Sequence, residues 1–128
     1  MDPSQTAPIA LAERRLAWLD ARQRVLAQNI AHADTPAYRP RDLPDFASTL
    51  ARSTGVGLAR TDQRHLAPAG GDARARPDRQ ATDVSPNGNA VSLDREAMKV
   101  ADTDTAHALA LGLHRRWLGK FRTALGRS

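Results

Sequence analysis

The stretch whose reading decides the fold runs from Ile9 to Tyr38, IALAERRLAWLDARQRVLAQNIAHADTPAY. Ile9, Ala12, Leu16, Leu19, Gln23, Leu26, Ile30 and Ala33 recur in steps of three and four, the a/d spacing of a coiled-coil seam with one polar interruption at Gln23. A second stripe, Leu11, Trp18 and Val25, repeats every seven residues. At about 100° per residue it lies nearly opposite the first. A helix with two apolar faces cannot bury both against a single partner. The spacing therefore predicts a helix sandwiched between neighbours, a part of an assembly rather than an enzyme. Pro36 ends the run: it lacks an amide hydrogen, and its ring pushes Thr35 out of the α region, so the helix is expected to close at Ala33 or Asp34.

The far end of the chain carries a second run of the same kind. It is predicted to start at Ser92 or Leu93 and to reach about Leu125. Leu93, Ala97, Val100, Asp104, His107, Leu111, His114, Leu118, Phe121 and Leu125 alternate in steps of four and three, with Asp104, His107 and His114 interrupting the seam. Leu109, Leu113 and Trp117 form a partial second stripe. Asp94, Glu96, Asp102 and Asp104 lie early and Arg115, Arg116, Lys120 and Arg122 late, which complements the helix dipole.

Between the two runs the chain changes character. Arg39–Phe46 reads as extended and proline-rich with Leu43 and Phe46 as anchors, and Phe46–Arg52 as a short helix. Val56 and Leu58 suggest a short strand, Thr61–Leu66 a turn, and Asn87-Gly88 a turn into the last helix. The segment 67–80 has the composition of a linker, disordered or ordered by a partner. The expected fold is mainly α: long N- and C-terminal helices pairing as a coiled-coil-like bundle around an irregular, partly disordered or short-β middle. The chain divides into a tail over 1–8, a first helix and its turn over 9–38, a middle over 39–90 and a last helix over 91–128.

The 128 residues amount to one domain, but aromatics are only 4% of them and much of the apolar fraction is alanine. Small side chains offset poorly the ~1–2 kcal/mol of conformational entropy lost per ordered residue, so a marginal isolated monomer is expected. A net charge of +5 raises the alternative of a basic helical nucleic-acid-binding protein, yet no recognition-helix motif or aromatic-basic interleaving accompanies it. No cysteine is present, so thiolate metal sites are excluded. No run approaches the ~20 apolar residues of a membrane span. MDPSQTAPIA lacks the basic start and apolar core of a cleavable secretory signal, which places the chain in the cytoplasm unless it is exported by another route.

Candidate chemistry is sparse. His107 and His114 stand seven residues apart, ~10 Å along a helix and too far to share one ion, so they read as polar seam residues setting register. His65 beside Asp62 reads as a turn histidine, and neither a nucleophile elbow nor a phosphate-binding glycine loop occurs. The reading is a non-enzyme with no cofactor, metal or catalytic residue. Trp18 and Trp117 lie off the main seams among arginines, a composition found at protein–protein hot spots, and are assigned to contacts between subunits.

Asn29-Ile30-Ala31, followed by Asp34-Thr35-Pro36 and Tyr38, resembles the N-terminal signature shared by flagellar rod, hook and hook-associated proteins. Arg41-Asp42 with Phe46, the stretch ending in His65-Leu66, and Asn87-Gly88-Asn89 before Val91, Leu93 and Asp94 look like the proximal rod branch of the flagella basal body rod protein family, with FlgC as the nearest competing branch. The resemblance implies a structural subunit of the bacterial proximal rod that transmits torque from the MS ring to the distal rod. It also implies delivery by the flagellar type III export apparatus into the periplasm without a cleaved signal. Its implied neighbours are FlgC-, FlgF- and FlgG-like rod subunits and the adaptor FliE, with no nucleic acid and no membrane insertion. The assembly seams are then Leu16, Leu19, Leu26, Ile30, Val100, Leu111, Leu118, Phe121 and Leu125. Two positions depart from the family pattern: His32 stands for its usual asparagine and Ala37 for its usual glycine. Because Ala37 makes a positive φ costlier, the turn is expected to be reshaped here.

Overall fold

A computed structural model describes residues 6–54 and 74–126. The expected strand at Val56 and Leu58, the turn at Thr61–Leu66 with His65, and the glycine pairs at 55–57 and 70–71 lie outside the described residues. Helix α1 spans Ala7–Ala31, a two-residue strand β1 spans Arg41–Asp42, α2 spans Phe46–Thr54, β2 spans Arg76–Pro77 and α3 spans Leu93–Ala124. The long helices α1 and α3 pack against each other, and β1 and β2 pair antiparallel, Arg41 opposite Pro77 and Asp42 opposite Arg76.

The ends of the helices have local causes. Pro8 fits the first turn of α1, where its missing amide would lack a partner in any case, so the helix starts slightly before Ile9. At the other end the chain tightens: His32 N–H reaches both Gln28 O and Asn29 O, and Ala33 N–H bonds Ile30 O at 3.1 Å, so regular α geometry stops at Ala31. Asp45 caps α2, its carboxylate accepting from Ser48 N–H at 3.0 Å and Ser48 O–H at 2.6 Å. Helix α3 closes on Gly126, whose φ of 69° suits the left-handed position after a helix.

Pairing of α1 with α3 is antiparallel and read by its polar rungs. His114 Nε2 lies 3.3 Å from Glu13, His107 Nε2 lies 3.2 Å from Asp20, and Gln23 donates to Asp104. The polar interruptions that the sequence places in the two seams therefore meet one another or a neighbouring carboxylate across the pair. On α1 the inward face follows the expected seam, with Ile9, Leu19 and Leu26 buried. On α3 it does not. The buried residues are Glu96, Thr103 and Ala110, seven apart, while Leu93 and Ala97 are exposed and Val100, Leu111, Leu118 and Phe121 are half-buried. The inward track lies one residue from the apolar one: Glu96 is drawn in by its bonds to Asn29 and Lys99, the small Thr103 and Ala110 follow it on the same line, and the larger apolar residues flank them.

Trp18 corrects another expectation. Its indole packs within its own chain, 9% exposed, in a cluster with Leu19 and Ala110 bordered by Leu16, Leu43, Phe46 and Ala106. The indole N–H donates to Pro44 O at 3.0 Å, Phe46 meets the ring edge-on at 6.2 Å, and the Arg15 and Arg22 guanidinium groups sit 4.9 and 5.6 Å from its centroid. The segment from Leu43 to Phe46 thus covers Trp18, the middle residue of the second stripe of α1, while Leu11 at the start of that stripe stays 45% exposed. Trp117 remains 40% exposed.

The turn after α1 holds an alanine in the left-handed region. Ala37 has φ 59°, and its N–H bonds Asn87 O at 3.0 Å. The loop before α3 closes against this turn: a Cβ on Gly88, itself at φ 81°, would lie 3.2 Å from Ala37 Cα. Ala37→Gly should raise stability by about 0.5–1 kcal/mol in chemical denaturation, by removing αL strain. Gly88→Ala should lower it by more than about 1 kcal/mol, from a strained φ and a tight backbone contact together.

Candidate functional site

The best-built feature is a buried polar junction where both ends of α1 and α3 nearest the turn meet β1 and β2. Asn29 is fully buried and uses all of its hydrogen-bonding capacity. Its Nδ2 donates to Arg41 O at 2.7 Å and to Glu96 Oε2 at 2.9 Å. Its Oδ1 accepts from Arg41 N–H at 3.0 Å and Tyr38 O–H at 3.2 Å. One side chain thereby ties α1 to β1, to the turn and to α3.

Asn89 does the complementary work from the loop before α3. Its Nδ2 donates to the carbonyls of His32 at 2.9 Å and Thr35 at 2.7 Å, and its Oδ1 accepts from Val91 N–H at 2.8 Å. Carbonyls freed by the end of α1 are thus satisfied from a residue far away in sequence. Tyr38 stacks on His32 with centroids 4.6 Å apart, and His32 Nδ1 lies 3.1 Å from Thr35 Oγ1. The two motifs of the sequence, one ending α1 and one leading into α3, are halves of a single interlock.

Charge continues the network outward. Glu96 Oε1 accepts from Lys99 at 3.2 Å, Lys99 bonds Asp78 at 2.6 Å and lies 3.6 Å from Asp42, and Asp42 accepts from Nε and Nη2 of Arg22, each at 3.0 Å. Burial alone would push the Asp78 carboxyl up, but the Lys99 and Gln80 hydrogen bonds outweigh it and hold the pKa below the ordinary 3.8. Burial would likewise lower Lys99, yet the Asp78 bond and the Glu96 charge keep it above the ordinary 10.5. No buried side-chain nitrogen or oxygen among the described residues lacks a partner.

The motif residues divide between this interlock and the surface. Asn29 and Tyr38 belong to the junction, and Thr35 enters through its carbonyl. Ile30, Ala31, Asp34 and Pro36 are exposed. Among the seam residues, Leu19 and Leu26 are buried, Leu16, Val100, Leu111, Leu118 and Phe121 are half-buried, and Leu125 is 48% exposed. Sequence reasoning missed Glu96, Lys99 and Asp78 as a linked group. Glu96 was read as a dipole acid, and Asp78 lay in what looked like a linker; the available signal was the seven-residue repeat of Glu96, Thr103 and Ala110, hidden because none of the three looks like core.

No protein-family model matches the chain. It is similar to the flagellar basal body rod protein FlgB of Cereibacter sphaeroides, 36% identical over 108 residues that cover 83% of this chain and 84% of that protein. The protein of the same description from Agrobacterium fabrum is 33% identical over 117 residues, covering 84% and 87%. That from Escherichia coli K12 is 38% identical over 104 residues, covering 70% and 72%.

Asn29→Ala would leave Glu96, Tyr38 and both Arg41 backbone groups short of a partner, at ~1–3 kcal/mol per buried unsatisfied group. A loss of about 3 kcal/mol or more in denaturant unfolding is expected, against less than ~1 kcal/mol for Gln28→Ala on the exposed side of the same turn. The pH response follows from the signs above. The Asp78 contribution is present above about pH 4 and lost as pH falls through its depressed value. The Lys99 contribution is present below about pH 10 and lost as pH rises through its raised value. Thermal melts should show a stability plateau between these limits, and Asp78→Asn should lower the plateau and make its acid edge shallower.

Proposed function

This chain belongs to the FlgB family of flagellar basal body rod proteins, which makes it a component of the flagellar basal body rod, and we propose that it is a structural subunit of the proximal rod that assembles through its end helices. In this role it passes torque from the MS ring toward the distal rod and has no catalytic part. Its neighbours are other rod subunits of the FlgC, FlgF and FlgG kind and the adaptor FliE. It reaches the periplasm through the flagellar type III export apparatus.

The observation that carries this reading is the apolar surface left after α1 and α3 have paired. Leu11, Ile30, Leu93, Leu109, Leu113, Trp117 and Leu125 remain exposed along the length of the hairpin. Large apolar side chains spread along two helices suit burial in a helical array better than a lone molecule. No helix among the described residues is long and apolar enough to cross a membrane. The interlocked junction supports a mechanical role as well, since buried hydrogen bonds and ion pairs resist shear between the helices where apolar contacts alone would slide.

Leu26→Asp or Leu111→Asp should block rod assembly and swimming while leaving export of the protein intact, because export does not require the paired helices. Motility in soft agar and the amount of exported protein read the two effects separately. Normal swimming with either change would overturn the role of these helices in assembly.

A further inference from the structure

Asn87-Gly88 is the one place in the chain where an asparagine precedes a glycine, and no aspartate does so. A glycine nitrogen has no side chain crowding it, so it can reach the amide carbon of an asparagine side chain just before it. The other two asparagines, Asn29 and Asn89, precede Ile30 and Ala90, and both are buried with their amides bonded. Asn87 is exposed, and its Nδ2 enters no hydrogen bond among the described residues. The rest of the pair is held. Gly88 N–H donates to Ser85 O at 2.8 Å, and Ser85 N–H donates to Asn89 O at 2.8 Å. Asn87 Oδ1 accepts from Asn89 N–H at 3.1 Å, and Asn87 O accepts from Ala37 N–H at 3.0 Å.

We propose that Asn87 is a deamidation site, kept closed by the interlock between the two motif loops and opened when α1 and α3 come apart. In the open chain the Gly88 nitrogen gives its proton to base and bonds to Asn87 Cγ. The Cγ–Nδ2 bond breaks, and Nδ2 leaves as ammonia with a proton from solvent, closing a succinimide. Water then adds to one ring carbonyl, and the bond from that carbon to the Gly88 nitrogen breaks, the nitrogen recovering a proton. Attack at Cγ leaves aspartate, and attack at the backbone carbon leaves isoaspartate. One water is consumed, one ammonia is lost and nothing is oxidised or reduced. The Asn89 N–H draws charge from Oδ1 and by itself would assist attack. In the folded loop, however, the attacking nitrogen keeps its proton in the bond to Ser85, and Asn87 is pinned through both of its oxygens. The turn must therefore open as a unit before the reaction can start. Isoaspartate adds one carbon to the main chain between Asn87 and Gly88. Gly88 then no longer fits against Ala37, where even a Cβ would stand 3.2 Å from Ala37 Cα. A chain left open too long loses the loop that would close it.

The test incubates the full-length chain at one mildly alkaline pH in urea, which opens it, and in sucrose, which favours the compact state. Mass and peptide fragmentation follow the amide-to-acid exchange at Asn87, and methyl transfer by an isoaspartate methyltransferase measures the isoaspartate. Conversion in urea should run at least about tenfold faster than in sucrose. Asn29→Ala loosens the junction without touching the Asn87 peptide. It should raise the sucrose rate at least about threefold and leave the urea rate unchanged. If this variant does not fold at all, its two rates converge, which is the same result at its limit. Gly88→Ala should slow conversion severalfold in urea, where only the Cβ beside the attacking nitrogen matters. The isoaspartate chain, separated by ion exchange, should show less helix in sucrose than the parent by far-ultraviolet circular dichroism. Equal parent rates in the two solvents, an Asn29→Ala rate in sucrose no higher than the parent's, conversion at Asn29 or Asn89 instead of Asn87, or undiminished helix in the isoaspartate chain would overturn the guarded site. None of these readouts depends on rod assembly.

Discussion

Asn29 sits where no water reaches, between the last turn of α1, the strand at Arg41 and the first turns of α3. An amide in that position must find partners for two donors and two acceptors, because each unsatisfied buried group costs on the order of 1–3 kcal/mol. All of its partners come from different segments: the turn through Tyr38, β1 through both backbone groups of Arg41, and α3 through Glu96. Meeting that demand fixes the angle at which the chain leaves α1 and the rotation at which α3 comes in. The rest of the fold is arranged around this point.

From the junction the two helices run side by side with little bulk between them. Their line of closest approach on α3 is Glu96, Thr103 and Ala110, and the rungs across it are carboxylate, histidine and amide groups rather than interlocking leucines. Such an interface specifies register well, since a shift by one turn would separate every pair at once. It contributes less apolar burial than a leucine seam would, and it leaves larger side chains on the outside. The polar rungs hold the hairpin in one register, and the larger apolar residues stay at its surface.

Ala37 illustrates how a tertiary constraint overrides a local preference. A residue with a Cβ resists a positive φ, yet Ala37 adopts one, held there by its bond to Asn87 and by the close approach of Gly88. The interlock between the two motif loops outweighs ~1–2 kcal/mol of backbone strain. The facing position is a glycine, Gly88, whose own φ is positive and whose missing Cβ lets the two loops approach.

Periodicity and proline by themselves determined the two long helices, their ends to within a few residues, the short helix after Phe46 and the helical class of the fold. The motif around Asn29 also pointed, as a resemblance, to the family that the relatives support. Each of these depends on the chemistry of one segment, which a linear reading captures. Which track of α3 turns inward, what covers Trp18, and how Glu96, Lys99 and Asp78 come together depended on tertiary structure. The physical reason is that an amphipathic pattern defines a face only to within a residue or so, whereas the rotation of a helix about its axis is set by specific partners across the chain. Asn29 and the rungs from Glu13 to His114 and from Asp20 to His107 supply those partners, and they lie far apart in the sequence.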